Sequence, residues 1–403
     1  MTLASVIPTP LKPDTSELAL TGWDNLGSSA DWVNALRLRS RDKVTASSLP
    51  TPKSERWKFT NLPARLRKLD LEYRDSAISV SGNSEYVSRG LTQDWVRAMA
   101  EAQPAGEVQY KDMALWDAAN AFLNDAIVID VPANVQSADI LNLVIDAQGG
   151  GYSVPRIFIR LGDNADFTIV ETHNGQGAFW NNALTQIQIG KNARLRHYRI
   201  QENAVECVYT NNTHVSLERD ANYESFVLNT GSGLTRNQFH GELLAENGNC
   251  SFSGLNMLSG KQHGDTTLLV DHKAPHCRSN QLYRTILNNE ARGVFQGKIH
   301  VHQIAQKTDG YQLSNNILLT PLAEMNIKPE LEIYADDVKC SHGSTTGQLD
   351  ETPMFYLRSR GLNETEARKL LLEAFIGEAL EKITHEQVME MITEKATQWL
   401  NRL

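Results

Sequence analysis

The alternation of apolar and polar positions divides the chain into three textures. In residues 31–44, DWVNALRLRSRDKV, Trp32, Ala35 and Leu36 fall at helical spacing, and Pro50 and Pro52 close the segment. SERWKFTNLP follows. Two more helices are predicted, one starting at Leu91 (LTQDWVRAMAEAQ) and one at Met113 (MALWDAANAFLND), the latter with Leu115, Ala118, Ala119 and Phe122 on one face. From about Ala126 the pattern changes. AIVIDVP, ILNLVIDA and RIFIRLGDNADFTIVETH are short, β-branched and broken by Gly, Asn and Asp, as strands are.

A weak repeat runs through the strand-rich part. LGDNADF, IGKNARL and LERDANY each place a polar turn before an alanine, and Ala165, Ala193 and Ala221 are spaced by 28 residues. Gly248 continues the series. Beyond it Pro275 is a poor match, and Ala305 and Ala335 are candidates for the later corners. A fixed step in strand-rich sequence predicts a β-solenoid whose coils stack apolar residues inward and turn on Asn and Gly. An antiparallel sandwich with regular hairpins is the alternative.

After Gly361 the spacing is helical again. NETEARKLLLEAFIGEALEKI opens with Asn363 and, three residues on, Glu366, the layout of a capping box. HEQVMEMITEKATQW places Val388, Met391, Ile392 and Trp399 on one side. These amphipathic helices are expected to cap an open end of the solenoid, to dock a partner, or both. The expected organisation is a helical and loop-rich region over 1–125, a strand core over 126–350 and a helical region over 351–403.

Composition narrows the function classes. The 403 residues carry a net charge of -9, which argues against a broad basic face for nucleic acid and against an anionic membrane surface. Four cysteines in so long a chain, with no CxxC, read as reduced thiols of a cytoplasmic protein rather than a disulfide framework. The first residues lack the basic and apolar regions of a signal peptide, and no apolar run is long enough to span a bilayer.

Candidate chemistry centres on VKCSHGSTTGQLD at 338–350. On a strand, Cys340 and His342 share a face. Thiolate and imidazole suit zinc, copper or iron–sulfur chemistry, and a protonated His favours the thiolate. Two ligands fall short of a closed structural zinc site, so a metal role needs ligands from elsewhere in the fold or from a second chain. A buried thiol beside a surface histidine is the other reading. His300 and His302 also alternate but lack a third ligand nearby, which favours a hydrogen-bonded polar face. His272, His276 and Cys277 flank a proline whose corner scatters their directions. Cys207 and Cys250 sit among apolar strand residues as small core groups. There is no GxxxxGK[ST], no strand-to-helix GxGxxG, no HExxH and no GxSxG. The enzyme alternative is a β-helix carbohydrate-active protein using paired acids such as Asp336 and Asp337, weakened by the scarcity of exposed-looking aromatics on the strands.

HQIAQKTDGYQLSNNILL at 302–319 and KPELEIYADDVKCSHGSTTGQLDETPMFYLRSRGLNETEARKLLLEAF at 328–375 closely resemble the C-terminal part of the SufB/SufD family, scaffold subunits of the SUF iron–sulfur cluster assembly system. SERWKFTNL at 54–62 resembles that family's Glu-x-Trp-basic-aromatic-Thr-x-Leu segment. Ser341 before His342 is closer to the SufD branch, because SufB-like chains carry Glu there; they are also usually longer, with cysteines in the N-terminal part, whereas the first here is Cys207. The resemblance implies a right-handed parallel β-helix between two helical segments and no catalysis by the chain itself. It implies pairing with SufB and binding of the SufC ATPase through the C-terminal helices, with a homodimer conceivable in isolation. It also implies a transient iron–sulfur cluster shared across the SufB–SufD interface, with no nucleotide held by this chain. His342 and Cys340 match the family's interface residues, and the partner would supply the missing ligands. Tyr356, Arg358 and Arg360 fall near the SufC junction, unless they form only a solvated face.

Overall fold

The computed structural model describes residues 15–27, 29–102, 113–147 and 149–403; the first residues and Gln103 lie outside them. The strand-rich part is a parallel β-solenoid of two facing sheets, one of nine strands and one of ten. Successive strands alternate between the sheets, so each strand pairs with the one a full coil earlier. Val208–Leu217 lies in register between Phe179–Ile189 and Leu234–Leu243, and Asn222–Asn229 between Arg194–Gln201 and Asn249–Leu258. The facing inner columns, among them Leu161, Ile189, Leu217 and Leu243 against Phe167, Leu195, Tyr223 and Phe252, form one continuous core. The parallel ladder excludes the sandwich of hairpins.

One edge of the solenoid shows why the sequence repeats. Asn134, Asn164, Asn192, Asp220 and Asn247 all take positive φ between 54° and 66°, a conformation short polar side chains tolerate. Their side chains stack from coil to coil: Asn192 Nδ2 donates to Asn164 Oδ1 at 3.0 Å, and Asn247 Nδ2 to Asp220 Oδ1 at 2.9 Å. The residue after each turns inward, and Ala165, Ala193 and Ala221 are buried there. Register corrects the later part of the repeat. Asp309 pairs with Arg278 and Lys339 with Asp309, so the equivalent positions are Cys277, Thr308 and Val338, not Pro275, Ala305 and Ala335. The connection between strands lengthens from 218–221 to 302–308, which shifts the motif within its coil.

Helices cover both outer faces. The Asp31–Ser47 helix buries Val33, Leu36, Arg37, Ser40 and Val44, a face rotated from the predicted one; Ala35 is exposed. Arg37 is accommodated because its guanidinium donates to the carbonyls of Leu123 and Gly27 at 2.7 and 2.8 Å. The second predicted helix spans Asp94–Glu101, and the third, Ala114–Ala121, is buried throughout. SERWKFTNL lies on the ten-stranded sheet. Trp57 is fully buried under the Arg236 guanidinium, 3.8 Å from its ring centroid, and Thr60 hydrogen-bonds His263 and Asp265.

The C-terminal helices do not cap an end. Glu364–Leu380 and Glu386–Leu400 lie along the outer face of the nine-stranded sheet, where Leu372, Ile376, Val388, Ile392 and Trp399 pack on Tyr198, Phe226, Leu228, Leu255 and Leu282. Those strand residues point outward and are large and apolar, so the flank needs cover; each such side chain removed from water contributes roughly 1.5–3 kcal/mol. The capping box forms as predicted, with Glu366 N–H on Asn363 Oδ1 at 2.9 Å and Asn363 N–H on Glu366 Oε2 at 3.0 Å.

Candidate functional site

Cys340 and His342 lie on Lys339–Gly347, the last strand of the nine-stranded sheet. They continue the inward-facing columns: Cys340 pairs in register with Gly310, and His342 with Gln312. No further coil lies beyond this strand among the described residues, so an inward position is also an end position. Cys340 packs half-buried against the cluster of Ile299, Val301, Ala305 and Ala335. Gly310 gives the thiol its space; a Cβ there would stand 3.4 Å from Sγ. His342 is exposed, and its imidazole hydrogen-bonds no described residue.

The four thiols differ. Cys207, Cys250 and Cys277 are buried, and burial raises all of them, Cys277 to about 11. Cys340 alone is partly open to solvent. Its pKa is also raised, by burial first, opposed by the Gly310 N–H and reinforced by Asp309. In the isolated chain it is therefore a neutral thiol and becomes a soft ligand only when a nearby cation draws off the proton.

Behind His342 the interior is polar. Gln312 and Gln281 follow in its column, fully buried, and Gln312 Oε1 and both Gln281 amide atoms lack partners. Gly297 leaves room for them, since a Cβ there would meet Gln312 Oε1 at 2.4 Å. Deeper in the solenoid Glu171 accepts from His197 at 2.9 Å and from Arg199 at 2.8 Å, all three buried. Burial would raise the Glu171 carboxyl, but Arg199 and the histidines outweigh it and hold it well below the usual range.

The second group of predicted residues lies on Glu351–Ser359, a helix in which only Met354 is buried, and at its C-cap, Arg360. Tyr356, Arg358 and Arg360 are exposed, with the Arg360 guanidinium 5.2 Å from the Tyr356 ring centroid. Beside them Phe355 is 75% exposed, more than any other large apolar side chain described. It was overlooked because an apolar residue at helical spacing reads as core. The other candidates fall apart as expected or are occupied: His272 bonds Ser279 at 2.9 Å, His276 is itself a positive-φ corner, and Cys277 donates to the Ala245 carbonyl. Asp336 and Asp337 lie in the corner after Ile333 rather than on a sheet face, and Asp337 is ion-paired with Lys307. That placement gives the glycan-cleaving alternative no support.

Comparison with known proteins then places this architecture. A family model described as SUF system FeS cluster assembly, SufBD core domain, matches residues 143–375. The chain belongs to the SufBD family. Iron–sulfur cluster assembly protein SufD of Escherichia coli (strain K12) is 31% identical, covering 96% of this chain and 98% of its own length. A SufBD family protein of Synechocystis sp. is 29% identical over 86% of each chain, and one of Mycobacterium leprae 30% identical over 91% and 94%. The SufBD match includes Cys340, His342 and the Glu351–Ser359 helix, and family membership assigns the chain a role in iron–sulfur cluster assembly. SERWKFTNL precedes the matched region, and its contacts give it a packing role in holding the N-terminal helices to the solenoid. Among the described residues no helix is long and apolar enough to cross a membrane.

Proposed function

We propose that this chain is the SufD-type subunit of a cytoplasmic cluster-assembly scaffold. It pairs through the open end of its solenoid with a SufB-type partner and docks a SufC-type ATPase on its C-terminal helical region. It performs no catalysis and binds no nucleotide itself. Its contribution to the cluster site is a half-set of ligands, His342 and Cys340, which the partner completes with its own donors across the interface. The observation that carries this reading is the free edge of Lys339–Gly347: a strand paired on one side only, a template for pairing with another chain, presents an unbonded imidazole and the one half-exposed thiol. A neutral thiol waiting for a cation fits a site assembled only on association. The ATPase-binding part rests on Phe355 and Tyr356, which leave an aromatic patch flanked by Arg358 and Arg360, a composition typical of interface anchors.

The test is to co-purify the chain with the SufB and SufC of its host, reconstitute anaerobically, and count iron and acid-labile sulfide per complex for wild type and His342→Ala. The complex should form in both, with cluster lost only in the variant. Equal cluster in both would reduce the chain to a holder of the partner and the motor.

A further inference from the structure

The outer face of the ten-stranded sheet carries a second cluster of potential ligands, away from the inward-facing Cys340 and His342. Asp271, on His263–His272, pairs in register with His300 on Arg292–Val301, one coil later. His302 follows just beyond the end of that strand. His300 Nδ1 and His302 Nε2 both lie 2.8 Å from the same oxygen, Asp271 Oδ1. The two imidazole rings are 4.4 Å apart and tilted at 63°, and the Tyr334 ring packs edge-on against His300 at 5.7 Å. From sequence the histidine pair lacked a third ligand; the coil repeat supplies it from 29 residues earlier.

We propose that Asp271, His300 and His302 bind a divalent transition-metal ion of the iron(II) and zinc class. Two imidazoles and one carboxylate are the donor set such ions prefer over magnesium or calcium, which favour oxygen alone. The three ligand atoms lie within 4.8 Å of one another, and tetrahedral ligands at ordinary Zn–N lengths stand about 3.3 Å apart, so a small outward movement admits the ion. Two imidazoles converge on a single carboxylate oxygen. The other oxygen, Oδ2, faces Lys273 Nζ at 3.4 Å. Lys273 also pairs with Glu242, which accepts from His214 at 2.6 Å. That lysine pairs with both Glu242 and Asp271, and this is why the site is assigned to Asp271, His300 and His302 rather than to the adjoining His240, Glu242 and Asp271 group, whose ligand atoms also lie within 4.8 Å of one another. His300 and Asp271 are buried, but His302 keeps 31% of its side chain exposed. The ion therefore has an entry path, and three protein ligands leave a coordination position for water, as in open rather than closed structural sites. The site stands independently of the proposed role of Cys340 and His342.

Cobalt(II) is the probe, because its visible d–d bands report coordination directly. The full chain, stripped with chelator, is titrated with Co2+ and competed with Zn2+. One equivalent should bind with a ligand-field spectrum, and Zn2+ should displace it. His302→Gln, which keeps an N–H to donate to Asp271, should weaken binding about tenfold or more at unchanged melting temperature, and His302→Ala should do the same. A Cys340→Ser/His342→Ala double variant should bind Co2+ as the wild type does. Absence of saturable binding, undiminished binding in both His302 variants, or its loss in the double variant would overturn the assignment.

Discussion

At the N-terminal end of the solenoid, residues 77–89 cross the mouth from one sheet to the other. Ala77–Ser81 pairs antiparallel with Gln136–Asp146, and Val87–Arg89 pairs antiparallel with Ile127–Val131. Between them Tyr86 sets its ring edge against Phe167 at 5.5 Å, and Ile78, Val80 and Val87 pack on the core. Gly82 makes the turn at a φ of 85°, where a Cβ would meet the Ile140 carbonyl at 1.9 Å. At the C-terminal end none of this is present among the described residues. Glu324–Ile333 and Lys339–Gly347 each have a ladder neighbour on one side only, their inward positions are half-buried or exposed, and Leu322, Ile333 and Tyr334 stand open to solvent. A fold that seals one end with antiparallel strands and an aromatic plug, and leaves both edges bare at the other, keeps the bare end for something else. Unprotected parallel edges are otherwise a liability.

The contrast predicts where substitutions act. The largest effect belongs to the sealed interior. Arg199→Met strands Glu171 without its strongest counter-charge and should cost about 3–5 kcal/mol, read as a lowered denaturant midpoint. A change under ~1 kcal/mol would mean that the interior is wet enough to tolerate the loss. The same interior should show in pH. Burial lowers the His173 pKa below 6.5, with Glu171 opposing and Arg199 and His197 adding to the shift. A histidine depressed in the folded state contributes its full stability above the unfolded value and loses it as pH falls below 6.5. His173→Gln should therefore flatten the acid-side decline by up to about 1.4 kcal/mol per pH unit; an unchanged slope would remove this histidine from the account. On the flank, Asn363→Ala breaks the capping box and should cost about 1 kcal/mol, with no effect on partner binding. The smallest effect on stability belongs to the exposed helix. Phe355→Ser should stay within about 0.5 kcal/mol, yet abolish capture of the ATPase; retained capture would move that docking surface elsewhere.

Much of the fold was readable because its corners carry a chemical signature. Asn164, Asn192 and Asp220 take the left-handed conformation, and the alanines after them recur at the coil length. The signature fades where corners lengthen, so Thr308 and Val338 were missed in favour of nearby alanines. The C-terminal helices were readable as helices from Asn363 and their apolar spacing. Their docking on the flank was not, because it depends on Tyr198, Phe226 and Leu255 facing outward, and a strand buried on both faces has no polar alternation to show it. Asp31–Ser47 was misjudged in face because a buried arginine, Arg37, is polar by type and core by contact. Cys340 and His342 stood out by spacing and family resemblance alone; the openness of their coil is a property of the end, which no local pattern encodes. Asp271 was invisible for the same reason in reverse, since its partners lie one coil away.

The central claim is that the open end is the pairing face. Amide hydrogen exchange of the chain, alone and bound to its SufB-type partner, tests it directly. The account predicts that Glu324–Ile333 and Lys339–Gly347 gain protection on binding, while Ala77–Ser81 and Val87–Arg89 at the sealed end do not change. Association that leaves both C-terminal edge strands exchanging as in the free chain would contradict it.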